Sequence, residues 1–343
     1  MRVTYLLDRP ELGGGTKVVA QQARLLADRG HQLTVAAEGP RPAWLAPWFA
    51  SRSRPALRYL DLSQPEARLP SQDLIVATFW TTLARADALQ AGPVAHFCQG
   101  FEEDLVHLAP QREAIREAYR RPLPALVVAP HLGRRLAEQF GRESRLAPAP
   151  ADLTVRRPLR FGPRRLPWVA LCGIFEAEVK GIRTGLEAFG GLAGRSARLL
   201  RISALPCSEA ERELGQADRY LTAVAPGEAL RALAGCDLLL FTSLPGEGLG
   251  LPLLEAMQLG VPAVASRLAG VEFLTAQDGA VLVEPGDAGA FAAGAQSLLD
   301  SPAAWRAQRR KGIAAARRFA PAGVAVEVER ALAWAAGAER ASA

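Results

Sequence analysis

Residues 247–256, Glu-Gly-Leu-Gly-Leu-Pro-Leu-Leu-Glu-Ala, carry two glutamates, Glu247 and Glu255, eight positions apart on either side of a glycine-rich stretch. The preceding residues 236–242, Cys-Asp-Leu-Leu-Leu-Phe-Thr, have the length and flanks of a buried strand. Pro252 suits the first turn of a helix, because no amide donor is needed there. This stretch therefore predicts a strand, a tight turn and a helix whose opening turn contains Glu255.

The residue types in this turn indicate a ligand with both phosphate and hydroxyl groups. Glycines let the main chain approach a ligand closely, and free amides at a helix start attract anions. Two carboxylates would repel a phosphate alone, whereas sugar hydroxyls donate hydrogen bonds to them. We therefore expect a nucleotide sugar, with its diphosphate on the amides of Gly248, Leu249 and Gly250. Taken singly, Glu255 also fits an acid favoured by the helix dipole, and Glu247 a solvated loop residue.

The string resembles the C-terminal signature of glycosyltransferase family 4, Glu-Gly-Phe-Gly-x-x-x-x-Glu, with Leu249 in place of the phenylalanine. Residues 259–265 resemble the family's continuation, and the similarity extends with gaps over nearly the whole chain. The resemblance implies a retaining GT-B enzyme that moves a sugar from a nucleoside diphosphate to a glycan, lipid or small-molecule acceptor, as in polysaccharide biosynthesis. It assigns the donor ribose to Glu255 and the donor sugar to Glu247.

Size and composition fit a globular protein of two domains. The chain has 343 residues, of which 49% are hydrophobic and 22% charged, values that argue against disorder. Residues 1–7 predict a strand and not a signal peptide, and no apolar run is long enough to cross a membrane. The four cysteines are scattered among apolar residues without metal-ligand spacing, which predicts buried free thiols. We therefore expect a cytoplasmic protein.

The charge is moderately basic, at +6, and arginine supplies nearly all of the positive charge. No nucleic-acid-binding motif accompanies it, so no nucleic-acid partner is predicted. A basic surface would also suit a peripheral enzyme at the inner face of a membrane, docked on anionic lipid to reach a lipid-linked acceptor, an expectation that the resemblance strengthens. Solubility alone explains the charge equally well.

Apolar runs of strand length alternate with helical patterns, which predicts parallel sheets covered on both faces. The strand candidates are residues 1–7, 32–37, 74–77, 94–97, 126–129, 168–173, 199–202, 236–242 and 280–283. The predicted fold class is α/β, with two doubly wound Rossmann-like domains facing a cleft, the GT-B arrangement. The predicted parts are an acceptor-side domain (1–150), a proline- and arginine-rich linker (151–166), a nucleotide-sugar-binding domain (167–320) and a C-terminal helix (321–343) that the resemblance returns to the first domain.

Gly13, Gly14 and Gly15 follow the first predicted strand, where parallel sheets place ligands, and predict a glycine loop before a helix. The third glycine of the dinucleotide fingerprint and the lysine-serine pair of a P-loop are both missing, which disfavours hydride transfer. In family 4 the matching loop faces the donor phosphates or the acceptor. A turn chosen only for tight packing is the alternative.

Residues 173–181, Gly-Ile-Phe-Glu-Ala-Glu-Val-Lys-Gly, resemble the family segment Gly-Arg-x-x-x-x-Lys-Gly that grips the diphosphate. Ile174 replaces the arginine, and Lys180 comes one residue late. Lys180 is one of only three lysines in the chain, and a cation beside the leaving diphosphate assists glycosyl transfer. The alternative for Lys180 is a solvated residue at a helix start.

Residues 96–102, His-Phe-Cys-Gln-Gly-Phe-Glu, lie where family members carry a catalytic-loop histidine. Gln99 to Glu102 resemble the Gln-Gly-Tyr-Glu of rhamnosyltransferase-like members, which hints at a donor such as dTDP-rhamnose. Gln99 is a candidate catalytic residue that could donate a hydrogen bond to a sugar hydroxyl, and His96 is expected to be buried. His31, after Gly30, is expected to cap a helix.

No histidine, cysteine, aspartate or glutamate cluster has metal-ligand spacing, and an Asp-x-Asp motif is missing, so we expect an enzyme that requires neither metal nor cofactor. Two alternatives stay open. Ile174 and Gln99 depart from the common family pattern, as in a catalytically degenerate GT-B-like binding subunit. A sugar-nucleotide epimerase of related architecture would convert donor without acceptor.

Overall fold

The computed structural model describes residues 1–49, 57–152, 154–192, 196–276 and 278–337. It divides into two compact units. Unit 1 comprises Met1–Pro150 and Phe319–Ala343, and unit 2 comprises Ala151–Arg318. Each unit is built around one parallel sheet, as the alternating sequence pattern predicts.

The strands of the described residues form a seven-stranded sheet in unit 1 and a six-stranded sheet in unit 2. Those of unit 1 are β1 (Arg2–Leu6), β2 (Gln32–Ala37), β3 (Leu57–Asp61), β4 (Leu74–Ala77), β5 (Val94–Cys98), β6 (Ala125–Val127) and β7 (Ser144–Leu146). Those of unit 2 are β8 (Trp168–Cys172), β9 (Arg198–Ser203), β10 (Arg219–Thr222), β11 (Leu238–Phe241), β12 (Ala263–Ser266) and β13 (Val281–Val283).

The helices cover the two sheets. They are α1 (Gly14–Asp28), α2 (Ala46–Phe49), α3 (Trp80–Ala88), α4 (Arg112–Tyr119), α5 (Pro130–Phe140), α6 (Ile182–Gly190), α7 (Glu209–Leu214), α8 (Pro226–Ala234), α9 (Leu251–Leu259), α10 (Ala269–Thr275), α11 (Ala288–Asp300), α12 (Pro302–Ala316) and α13 (Pro321–Ala335).

In unit 1 the strand order is β3-β2-β1-β4-β5-β6-β7, so the chain reverses its direction of travel between β1 and β4. Ligands of doubly wound sheets bind beyond the carboxyl ends of the strands at such a reversal. The central strands are almost wholly buried, whereas β3 and β7 at the sheet edges are half exposed. Tyr5 and Phe97 pack edge to face in the core, with ring centroids 6.4 Å apart.

Helix α13 packs against α1, β6 and β7 and so belongs to the unit that contains the first strand. Glu329 on α13 accepts hydrogen bonds from the Nε of Arg29 and the Nε2 of His31, each at 2.8 Å. Burial would raise the pKa of Glu329, but these bonds from His31 and Arg29 hold it below its usual value. Of the predicted terminal helix, residues 338–343 lie outside the described residues.

In unit 2 the strand order is β10-β9-β8-β11-β12-β13, with the same reversal between β8 and β11. Apolar side chains of these two strands pack on α6 and α11. The fully buried Asp237 accepts hydrogen bonds from Arg160, Arg164 and the Trp168 amide. These bonds hold the predicted linker 151–166, of which residue 153 lies outside the described residues, against the sheet of unit 2.

Several local predictions were wrong, among them the following three. The strand predicted over 126–129 is β6, which ends at Val127, because α5 begins at Pro130 with Ala129 as its cap. Gly14 and Gly15 are the first residues of α1 and not part of a loop, since the Lys17 amide already bonds the Gly13 carbonyl. Glu255 lies in the second turn of α9, because that helix begins at Leu251.

Candidate functional site

The reversal of strand order in unit 2 brings two predicted site segments to the same edge of the sheet. Gly173 follows β8, and Ser243 and Glu247 follow β11, its neighbour. Because β8 and β11 are parallel, both segments leave the sheet at its carboxyl edge. The edge where Rossmann-like sheets bind ligands therefore carries the residues singled out from the sequence.

Gly173 allows Lys180 to lie directly over the end of β8. It has φ +137°, and a Cβ there would lie 3.1 Å from the Lys180 Cβ. The segment folds back through a 3₁₀ turn, Glu178–Lys180, and Gly181 follows at φ +57°. A Cβ on Gly181 would meet the Thr242 carbonyl oxygen at 1.9 Å, so only glycine fits.

Lys180 and Glu247, distant in sequence, form an ion pair. The Lys180 Nζ lies 2.8 Å from the Glu247 Oε2, which also accepts a 2.8 Å hydrogen bond from the Ser243 hydroxyl. The Lys180 side chain is 36% exposed and that of Glu247 is 10% exposed. The pair is therefore open enough on the lysine side for an anionic ligand to compete for the ammonium group.

The start of α9 completes this edge. Gly246 and Gly250 have φ values of +106° and +93°, and a Cβ on Gly250 would lie 2.7 Å from the Phe241 ring. Leu249 is buried, as are Gly248 and Gly250 on either side of it. Pro252 stands in the first turn of α9, as predicted, and the preceding amides are in the position where helices attract anions.

Glu255 is half buried and lies near the end of β8. Burial raises the pKa of the Cys172 thiol to about 12; Arg201 lowers it and Glu255 raises it. Cys172 directly precedes Gly173, so the charge of Glu255 acts near the end of β8, at the edge of the sheet from which the Glu247 segment also leaves. Both glutamates of the opening motif are thus brought to one region, Glu255 from one turn further into the helix than expected.

Sequence reasoning missed a buried arginine that shapes the turn after β8. Arg201 on β9 is 1% exposed and donates to the carbonyls of Leu171 (2.6 Å) and Gly173 (2.9 Å) and to Glu211 (2.6 Å). It holds the main chain on both sides of Cys172. An arginine inside the apolar run Leu-Leu-Arg-Ile is the signal that could have revealed it.

The remaining predicted residues lie at the carboxyl edge of the sheet in unit 1. Gln99, after β5, donates from its Nε2 to the Gly15 carbonyl at 3.3 Å. A Cβ on Gly15 would be 3.0 Å from that same nitrogen, while Gly13 and Gly14 are exposed. The structure therefore brings Gln99 and the first turn of α1 together.

Glu102, three residues after Gln99, is a buried acid whose environment the sequence did not reveal. It is 7% exposed and accepts a hydrogen bond from the Tyr119 hydroxyl. Burial raises the pKa of Glu102 to about 7; the Tyr119 bond lowers it and the negative charge of Asp8 raises it. The neighbouring Glu103 is ion-paired with two arginines, so Glu102 differs from it in having a hydroxyl partner.

His96 is fully buried, as predicted, and this burial argues against a catalytic role for its side chain. Its Nδ1 lies 3.2 Å from Arg142, and its ring packs on Tyr119 with centroids 5.0 Å apart. Burial, and then Arg142, lower the pKa of His96 well below its usual value. His31 caps α1 through its amide, which bonds the Leu26 carbonyl, while its ring binds Glu329.

Within the described residues, no group of three histidine, cysteine, aspartate or glutamate side chains could hold a metal ion. All four cysteines are free thiols; Cys98 and Cys236 are buried, and Cys172 and Cys207 are half buried. No helix in the described part of the chain has the length and apolarity to span a membrane.

Comparison with known proteins finds a family match in the C-terminal part of the chain. Residues 167–301 match the model of a family described as glycosyl transferases group 1. No curated protein matches the sequence. Among solved structures, the chain is similar to sucrose-phosphate synthase from Thermosynechococcus elongatus, at 17% identity and a TM-score of 0.78, covering 96% of this chain and 97% of that one.

Two further structures are similar over almost the full length. HepE from Anabaena, solved with UDP and glucose, has 16% identity and a TM-score of 0.77, covering 97% of this chain and 99% of its own. WaaG, a glycosyltransferase involved in lipopolysaccharide biosynthesis, has 13% identity and a TM-score of 0.70, covering 98% and 100%. At these identities the likeness establishes the fold.

The fold and the family match define a class. The chain has the GT-B fold, as predicted, and residues 167–301 match the group 1 glycosyl transferase family model. The matched region contains Gly173, Lys180, Glu247 and Glu255, so the resemblance read from these residues is confirmed. The assignment to family 4 in particular, and the role of each residue, stay predictions.

Proposed function

We propose that this protein transfers a sugar from a nucleoside diphosphate donor to an acceptor with retention of anomeric configuration. The observation that carries the proposal is the Lys180–Glu247 contact at the carboxyl edge of the unit 2 sheet, beside the amino end of α9. A cation that can bind phosphate, a carboxylate that can accept from hydroxyls and the main-chain amides of a helix start lie close together there, which supports the proposal. A nucleotide sugar offers all three partners.

The donor binds as follows in this proposal. Lys180 and the amides of Gly248, Leu249 and Gly250 hold the diphosphate, close to Gly173. Glu247 accepts hydrogen bonds from the sugar hydroxyls and Glu255 from the ribose. Donor binding separates the Lys180–Glu247 pair, since the diphosphate takes over the ammonium group and the sugar takes over the carboxylate.

Catalysis in this proposal comes from stabilising the departing diphosphate. Negative charge builds on its oxygen as the glycosidic bond breaks, and Lys180 with the α9 amides stabilises that charge. The acceptor hydroxyl attacks from the leaving-group face, which accounts for retention, and binding supplies its alignment. Gln99 acts as a hydrogen-bond donor to a sugar hydroxyl, and Gly13, Gly14 and Gly15 contact donor phosphate or acceptor. No metal or other cofactor takes part.

The neighbours guide the choice of substrates. HepE was solved with UDP and glucose, which supports UDP-glucose as the first donor to test. The involvement of WaaG in lipopolysaccharide biosynthesis supports glycan or lipid-linked acceptors, and with them a cytoplasmic enzyme that works at the inner face of a membrane. The Gln99 loop adds dTDP-rhamnose to the donor panel.

The test is a donor screen with two readouts. Each nucleotide sugar is added to the protein with and without an acceptor panel, and release of free nucleoside diphosphate is measured, with and without EDTA. The proposal predicts acceptor-dependent release that EDTA leaves intact, and a product whose anomeric configuration by NMR equals that of the donor. Inversion at the anomeric carbon contradicts retention, and loss with EDTA contradicts metal independence.

A degenerate binding subunit is the second candidate, because Ile174 stands where the family has a phosphate-binding arginine. It predicts that nucleoside diphosphates raise the unfolding temperature while no donor and acceptor pair gives turnover. An epimerase would instead convert a nucleotide sugar without any acceptor. The donor screen separates these three outcomes.

A further inference from the structure

Two segments of unit 2 carry an extreme concentration of positive charge. Residues 154–168 and 301–318 contain 11 of the chain's 41 lysines and arginines and none of its 35 aspartates and glutamates. The rest of the chain therefore has more acidic than basic side chains, although the whole has a charge of +6. The excess positive charge of this protein is therefore concentrated in these two segments.

The two segments form one surface. The Phe161 carbonyl accepts a hydrogen bond from Arg306 on α12 at 2.9 Å, and the Pro158 carbonyl accepts one from Arg309 at 2.6 Å. Burial lowers the pKa of Arg157, and the nearby charge of Arg317 lowers it further. The arginines of the loop and of the helix are thus close enough to repel each other, so an anionic partner would stabilise this surface.

Apolar side chains project from the same loop. Of the five large hydrophobic residues that are exposed in the described part of the chain, three lie here: Leu159 at 84%, Phe161 at 70% and Leu166 at 37%. Leu159 and Phe161 alternate with arginines in the sequence Arg-Arg-Pro-Leu-Arg-Phe. Exposed leucine and phenylalanine beside clustered arginines is the composition of surfaces that lie in the interface of an anionic bilayer.

We propose that this arginine-rich surface, formed by Arg156, Leu159, Phe161, Arg165, Arg306 and Arg310, docks on an anionic phospholipid bilayer. The arginines contact lipid phosphates while Leu159 and Phe161 enter the headgroup region. A nucleic acid would satisfy the arginines but would leave Leu159, the most exposed of these apolar side chains, in water. The surface lies within unit 2 and shares no residue with the proposed donor site, so docking and glycosyl transfer can fail separately.

The experiment is co-sedimentation of the full chain with vesicles. Vesicles of phosphatidylcholine alone are compared with vesicles containing about one-third phosphatidylglycerol at low and at about 0.1 M salt. Wild type is expected to bind only the anionic vesicles, and more weakly as salt rises. Equal binding to both vesicle types overturns the proposal, as does binding to neither.

Variants test the surface itself. Leu159→Ser with Phe161→Ser is expected to weaken binding at least ~10-fold, because two apolar side chains no longer leave water. Val106→Ser, an exposed apolar residue of unit 1, is the control and should bind as wild type does. All of these side chains are exposed, so unfolding temperatures should match. Undiminished binding by the double variant overturns the proposal.

Charge reversal gives an independent measurement. Arg156→Glu with Arg165→Glu is expected to weaken binding at least ~10-fold, whereas the equal charge change at the exposed Arg134 and Arg231 should have a much smaller effect. An equal loss in both pairs shows that only net charge matters and overturns the assignment.

Binding of the protein to a single-stranded oligonucleotide, with no binding to vesicles, overturns the proposal in favour of nucleic acid. Nucleoside diphosphate release by the Leu159 and Phe161 variant should equal that of wild type.

Discussion

Lys180 and Glu247 satisfy each other's charge at the candidate site. The two side chains sit 2.8 Å apart, and Ser243 gives the carboxylate a second donor. Because the ammonium group is partly solvated, the pair contributes little to stability. Its consequence is for binding at the proposed site, where a diphosphate would have to compete with Glu247 for Lys180.

Glu247→Gln should therefore separate binding from transfer. The neutral amide releases Lys180, so affinity for a nucleoside diphosphate should rise by up to about fivefold. Sugar transfer should fall, because the amide is a weaker acceptor for the sugar hydroxyls. Titration calorimetry with UDP and turnover measurements check the two effects. Glu284→Gln, an exposed glutamate of the same unit, is the matched control. Weaker UDP binding by Glu247→Gln would show that the pair does not oppose the diphosphate.

The buried Glu102 makes stability depend on pH. Its pKa is about 7, against an ordinary 4.5, chiefly through burial, with Tyr119 and Asp8 as the groups that face it. Between these values the folded protein keeps a proton that the unfolded chain releases, so this group stabilises unit 1 below pH ~4.5 and its contribution is lost as pH rises toward ~7. Relative to Glu102→Gln, the wild-type free energy of unfolding should fall by at most about 1.4 kcal/mol per pH unit across this window.

Denaturant unfolding of both proteins at several pH values measures this effect. Glu117→Gln, at an acid that is 75% exposed, serves as the control and should leave the pH profile unchanged. A constant difference between wild type and Glu102→Gln over the window would mean that Glu102 is ionised throughout.

At the scale of elements, the sequence predicts those strands that consist of a continuous apolar run. Residues 32–37 and 74–77 are strands with the predicted bounds, because they are buried on both faces. The strands β3, β7 and β10 were missed, since edge strands are partly solvated and need no continuous apolar run.

The candidate site was predictable only in part. The glycine spacing and Pro252 predict the turn before α9 from the local sequence alone. The contact of Lys180 with Glu247 depends on two features that no local sequence pattern encodes. One is the 3₁₀ turn after Gly173, and the other is the pairing of β8 with β11. The burial of Glu102 under Tyr119 is likewise a tertiary effect.

At the scale of single elements, Gly181 is a position where substitution should be costly. Gly181→Ala should destabilise unit 2 by about 3 kcal/mol, through strain at positive φ and the clash with the Thr242 carbonyl. It should also weaken donor binding, because the turn that carries Lys180 must shift. Gly190→Ala, at the other end of the same helix with open space around it, should change stability by no more than about 1 kcal/mol. Thermal unfolding compares them, and equal effects would contradict this description of the turn.

At the scale of the whole molecule, the two units have separate cores. Trp305, fully buried, donates to the Asp237 carbonyl at 2.7 Å in unit 2, and Trp334 is buried in unit 1. Each core can therefore be weakened without touching the other.

Calorimetry can assign the donor to one unit. We expect two unfolding transitions, one lowered by Trp305→Phe and the other by Trp334→Phe. UDP at 100 times its dissociation constant should stabilise the transition sensitive to Trp305 by about 2.7 kcal/mol. The same UDP concentration should leave the other transition in place. A shift confined to the transition sensitive to Trp334 would place the nucleotide in unit 1.

The central claim is that the unit 2 edge around Lys180 and Glu247 holds the diphosphate of a nucleotide sugar. The most direct measurement is kcat/KM for sugar transfer by Lys180→Ala and Glu247→Ala, with Lys311→Ala as the control for loss of a lysine in the same unit. We expect each site variant to fall by about tenfold or more and the control to stay near wild type. Wild-type kcat/KM in both site variants would contradict the account.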